Sequence, residues 1–111
     1  VLDSLKRDVP YVAFGDLHHA VEAMLCRDGF DFAAEVRIGS EELDFLVKPG
    51  LGIIATLAYH EPAVERRCRA LVESPRVLEL LVVTARCRMA RLPRTMSGTK
   101  VWVLPLLRNS P

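Results

Sequence analysis

The chain has 111 residues, enough for one domain and too few for two. Half of the residues are hydrophobic, 26% are charged, and the formal net charge is +1. This is an ordinary globular composition, and it excludes a global pull on nucleic acid or acidic membranes, so any basic binding surface must be local. No stretch approaches the roughly 20 apolar residues of a membrane span, and the residues from Val1 to Asp8 lack a signal-peptide core.

Residues 1–13 read as a lead-in arm to a single domain that spans 1–111, with 108–111 as a tail. The first helix is predicted over Asp16 to Asp28. Its apolar residues, Leu17, Ala20, Val21, Met24 and Leu25, recur at helical spacing, with Asp16 as N-cap and Gly29 as stop. The opposite face presents His18, His19, Glu22 and Arg27. Phe32 to Ile38 alternates as a strand, and Gly39 to Glu42 turns the chain. Leu43 to Val47 is nearly all apolar, as expected of a strand covered on both faces. After a Lys48-Pro49-Gly50 turn, a third strand runs from Gly52 to Tyr59.

Glu61-Pro62 opens a second helix, where an early proline costs no hydrogen bond. Val64, Cys68, Leu71 and Val72 form its apolar stripe, and Ser74-Pro75 ends it. Val77 to Thr84 is a strong strand. Arg86 to Lys100 is basic and loop-like, and Val101 to Leu107 is a last strand, with Pro105 suited to an edge or an end. Helix, three strands, helix, strand and strand predict an α/β sandwich with a mixed sheet.

Cys26, Cys68 and Cys87 are odd in number and widely spaced, which supports neither a zinc knuckle nor a redox pair. Apolar contexts point to buried reduced thiols, and so to a reducing cytoplasm. His18, His19 and His60 lack a metal-binding spacing and read as surface residues.

The element order, with Asp44 on the second strand and a turn before a third apolar strand, resembles the PD-(D/E)XK nuclease superfamily, of Holliday-junction-resolvase or small phage nuclease type. The resemblance spans roughly residues 14 to 107. It implies a restriction-endonuclease-like αβββαβ core with a mixed central sheet flanked by helices. It matches Asp44 to the aspartate that ligates the catalytic metal and Glu35 to an acid on the preceding strand. The E-x-K motif falls on Ile54 and Thr56, or one residue on, at Ala55 and Leu57, and neither register restores it. The glutamine of the family's second helix falls on Arg67, and the tyrosine four residues on falls on Leu71. Phosphodiester hydrolysis of this kind needs Mg²⁺ or Mn²⁺ on two or more oxygen ligands. Losing one stabilising group commonly costs on the order of 3 kcal/mol.

The leading expectation is therefore a catalytically degenerate nuclease-like domain with no cofactor, such as a phage or prophage accessory protein. It would bind DNA through Arg66, Arg67, Arg69, Arg86, Arg88, Arg91, Arg94 and Lys100, or bind a protein. A second reading is an active Mg²⁺- or Mn²⁺-dependent deoxyribonuclease with migrated groups. Asp44, Glu35 and Glu22 would hold the metal, and Lys48 would supply an amine. A third is a protein-interaction module or homodimer with an apolar edge near Trp102 and Leu106. A lone acid in an apolar strand is costly unless it is paired or binds a metal. If Asp44 binds no metal, Arg37, Lys48 or a backbone N–H should satisfy it.

Overall fold

The computed structural model describes residues 17–56, 61–84 and 92–105. The arm over 1–13, the tail over 108–111, Asp16, His60, Cys87, Leu106 and the arginines at 86, 88 and 91 lie outside the described residues.

Helix α1 (Leu17–Arg27) buries Leu17, Val21, Met24 and Leu25, the stripe its periodicity sets. Gly29, at φ +75°, follows its end. Three strands come next, β1 (Phe32–Ile38), β2 (Glu41–Val47) and β3 (Leu51–Thr56). Helix α2 (Glu61–Val72) buries Val64, Cys68, Leu71 and Val72. The chain then forms β4 (Glu79–Thr84), β5 (Thr95–Met96) and β6 (Thr99–Pro105).

The strands form one six-stranded sheet in the order β1-β2-β3-β4-β6-β5. β1 to β3 make an antiparallel meander. The crossover through α2 brings β4 parallel to β3, and β6 is parallel to β4. The mixed α/β sandwich expected from the sequence is thus the architecture seen.

The core has two halves, one on each face of the sheet. Leu17, Val21, Met24 and Leu25 of α1 pack with Phe45, Ile53, Leu81 and Leu104. Val64, Cys68 and Leu71 of α2 pack with Leu43, Ile54, Leu80 and Val101. Along β3, β4 and β6 successive residues alternate between the two halves, as a period of two requires.

β2 breaks that alternation. Leu43 belongs to the α2 half, whereas Phe45, two residues on, belongs to the α1 half. β1 does the same, with Phe32 against the α1 half and Val36 and Ile38 in the α2 half. The switch falls at one rung. Ala34 pairs with Phe45 and Val36 with Leu43, but the ladder skips Glu35 and Asp44 between them. Glu35 is at φ +53°, in the left-handed region that non-glycine residues rarely occupy. The tip of the β1–β2 hairpin therefore turns toward α2. The nearly unbroken apolar run of β2 reflects this change of face as well as cover on both sides.

The basic stretch before the last strand is not all loop. Thr95-Met96 pairs with Thr99-Lys100 around Ser97-Gly98. Both turn residues have positive φ, +50° and +80°. That is the geometry of the two-residue turn whose twist matches paired strands, and it favours glycine.

Candidate functional site

Asp44 lies where β2 leaves β3. The β2–β3 ladder reaches Phe45↔Ile53 and goes no further. Beyond it, Ala55 donates its backbone N–H to Asp44 Oδ2 at 2.8 Å. The carboxylate stands in for the main-chain acceptor that an unbroken ladder would have offered.

The Arg67 guanidinium and the His18 imidazole approach the same carboxylate. Nη2 of Arg67, from α2, is 3.7 Å from Oδ2, and Nε2 of His18, from α1, is 3.8 Å from Oδ1. Arg67 also donates to the carbonyl of Glu42. The His18 ring packs on Phe45 with centroids 4.6 Å apart. Asp44 is thus reached from both faces of the sheet, through the gap that its own turn opens. Its side chain is 18% exposed and that of Arg67 29%, so neither charge is freely hydrated. An exposed pair is usually worth under about 1 kcal/mol, whereas partial burial and the shared amide raise the cost of removing a partner.

The backbone N–H expected as a partner of Asp44 is present, but Arg37 and Lys48 are not the cations. Lys48, in the turn just past β2 and four residues on from Asp44, instead pairs its Nζ with Asp31 at 3.3 Å. Glu35 faces Asp44 across the skipped rung, but it is exposed and no bond joins the two. Glu22 is half-buried one turn along α1 from His18, with no contact to Asp44 among the described residues. No group of three or more His, Cys, Asp or Glu could hold a metal ion among the described residues. The migrated constellation of Glu22, Glu35, Asp44 and Lys48 is therefore not assembled. Mg²⁺ or Mn²⁺ fits poorly here, because one carboxylate already shared with a guanidinium and an amide is too few oxygens for either ion.

The expected basic surface divides. Arg67 turns inward to Asp44 and is spent there. Arg69 pairs with Glu65 one turn earlier at 3.0 Å. Arg66 is exposed on the outer face of α2. Arg94 and Lys100 are exposed on the β5–β6 side. Lys100 Nζ lies 3.9 Å from the centroid of Trp102, a cation–π contact. The sequence also holds an unevenness in charge. All fourteen acids lie at or before Glu79, and the remainder of the chain carries six Lys and Arg and no acid. A shallow pocket of 340 Å³ beside Ser40 and Ser74 is lined by Glu73 and no cation, which does not suit a phosphate.

Of the histidines, His19 is exposed as expected, but His18 is half-buried in the Asp44 cluster. Its place four residues before Glu22 and beside the apolar stripe carried no signal of this, because its partner comes from a distant strand. Of the cysteines, Cys68 is buried, and burial pushes its thiol up to about 11. Cys26 is exposed, contrary to the expectation of a buried thiol, because it faces away from the α1 stripe.

No helix among the described residues is long and apolar enough to cross a membrane. Comparison of the chain with models of protein families, with characterised proteins and with solved structures finds no match.

Proposed function

We propose that this chain is a nuclease-like α/β domain without a working cleavage centre, and that it acts by binding nucleic acid. The observation that carries the reading is the state of Asp44. The acid sits at the parting of β2 and β3, on the strand to which the resemblance to PD-(D/E)XK nucleases assigns the metal-ligating aspartate. Facing it across the gap is Ala55, one of the two residues on which the missing motif glutamate would fall. Arg67, on the matching position of the second helix, brings a fixed positive charge to the carboxylate. Such an arrangement keeps the scaffold and removes the means to activate water.

Binding, as opposed to catalysis, is supported by the charge distribution. Six cations without an acid follow Glu79, and Arg94 and Lys100 hold part of that charge beside β6. A polyanion is the natural complement of such a run of charge, of which Lys100 lies beside Glu79 of β4.

Two measurements test this. Incubation with single-stranded, duplex and branched DNA in Mg²⁺ and in Mn²⁺ should give no cleavage, and Mn²⁺ should not raise the melting temperature. Anisotropy titration of labelled oligonucleotides should show binding that weakens linearly in log salt. Metal-dependent cleavage that Asp44→Ala abolishes would reject the non-catalytic reading. Absence of any salt-sensitive binding would reject the nucleic-acid one.

A further inference from the structure

We infer that the outer half of the β1–β2 hairpin, residues 36–43, is a flap that opens from α2 as a unit while the rest of the sheet stays paired. The Glu35–Asp44 rung is its hinge and Arg67 its latch. The ladder isolates this segment. β3 pairs with Phe45, Leu46 and Val47 of β2 and with no residue nearer the tip. Among the described residues, Val36 to Ile38 and Glu41 to Leu43 pair only with each other. The two halves of the hairpin meet at the one rung the ladder skips, where Glu35 is held at φ +53°. A break of this kind concentrates bending in one place and leaves the pairing on either side intact. The bond from the Ala55 N–H to Asp44 pins the β2 side of the hinge to β3.

Side-chain contacts hold the flap shut. Val36, Ile38 and Leu43 pack in the α2 half of the core. Leu43 lies over Gly52 of β3, where a Cβ would come within 3.0 Å of one of its methyl carbons. The glycine thus leaves the seat into which Leu43 drops. Arg67 adds a polar fastening, donating to the Glu42 carbonyl on the flap side of the hinge. At the tip the seat is unfilled. The pocket of 340 Å³ separates Ile38, Gly39 and Ser40 from Ala70, Glu73 and Ser74 around the end of α2. A segment fixed at its root and open beneath its tip suits local opening at less cost than global unfolding. Opening bares the groove between α2 and β3 that Leu43 fills, and frees Arg67 from the Glu42 carbonyl.

Native-state hydrogen exchange of the full chain, read amide by amide by NMR at rising sub-denaturing urea, tests this. We expect the hairpin-ladder amides of 36–43 to exchange more than about tenfold faster than those of β3 and β4, with a small urea slope against a full one. Val83→Ala thins the α1 half on the opposite face of the sheet. It should speed exchange in β3 and β4 and leave 36–43 unchanged. Arg67→Ala should speed exchange in 36–43 about tenfold. Exchange of 36–43 that follows β3 and β4 in rate, in urea slope and in its response to Val83→Ala would overturn the flap as a separate unit. Rates in 36–43 that Arg67→Ala leaves unchanged would overturn Arg67 as its latch. If Val83→Ala does not fold, the urea slopes of the unmodified chain decide alone.

Discussion

The backbone N–H of Ala55 is held by the carboxylate of Asp44, 2.8 Å away and eleven residues earlier in the chain. This bond closes the gap between β2 and β3, so Asp44 should matter to stability whether or not it matters to function. Asp44→Ala leaves the amide without its acceptor and should cost about 1–3 kcal/mol in urea unfolding. Asp44→Asn keeps an acceptor and should cost roughly half as much. Equal stability of all three proteins would mean that solvent replaces the carboxylate freely.

Arg67 should couple to Asp44. A double-mutant cycle with Arg67→Ala and Asp44→Ala is expected to return about 0.5–2 kcal/mol of interaction. The coupling should shrink only modestly in high salt, because the pair is partly buried. Exposed Arg69, paired with Glu65 on the helix surface, should give under about 0.5 kcal/mol in the same test.

Cys68 links stability to alkaline pH. Desolvation raises the folded thiol to about 11 from an ordinary 9.0, with Glu65 adding to the rise and Arg67 opposing it. The folded value lies above the unfolded one, so the contribution is whole below about pH 9 and is lost as pH climbs toward 11. The loss should be on the order of 2–3 kcal/mol and absent in Cys68→Ala. Peptide mapping after thiol labelling at neutral pH should find Cys26 modified and Cys68 protected until the protein unfolds.

Gly50 is placed by a close approach. A methyl there would lie 2.6 Å from Cγ of Leu78 and 3.0 Å from the carbonyl oxygen of Arg76. Gly50→Ala should therefore destabilise by about 1–3 kcal/mol. Leu78 is 57% exposed and gives up little on truncation. Leu78→Ala should thus recover part of the loss, and the Arg76 carbonyl should keep the recovery incomplete.

The Ser97-Gly98 turn offers changes of opposite sign. Gly98→Ala meets no atom but must hold φ near +80°, a cost of about 1 kcal/mol. Ser97→Asn suits the left-handed conformation better than serine and should gain a few tenths of a kcal/mol. Melting temperatures of the two variants should move in opposite directions.

Periodicity carried most of the fold. The apolar stripes of both helices were legible to the residue, and β1 was bounded at Phe32 and Ile38 by its alternation and flanking turns. β5 was missed because two residues carry no period and the basic composition around them suggests a loop. The switch of face at Glu35 and Asp44 was invisible because an apolar run reads alike on either side of a sheet. The site was half legible. Asp44 stood out as a lone acid among apolar neighbours, and its need for a backbone donor followed from the cost of burial. Its partners Arg67 and His18 did not, because charge on a helix surface says nothing about which residue turns inward.

Among the described residues, β1 ends the sheet on one side, and no described strand pairs with the outer edge of Phe32 to Ala34. Such an edge invites another strand, and long regular ones seed aggregates. Here a second strand laid along it would meet the left-handed turn at Glu35 after three residues and lose its register against a charged side chain. The distortion that brings Asp44 between two helices thus also guards the open edge, and Glu35→Val would be expected to lower the concentration at which the protein begins to aggregate.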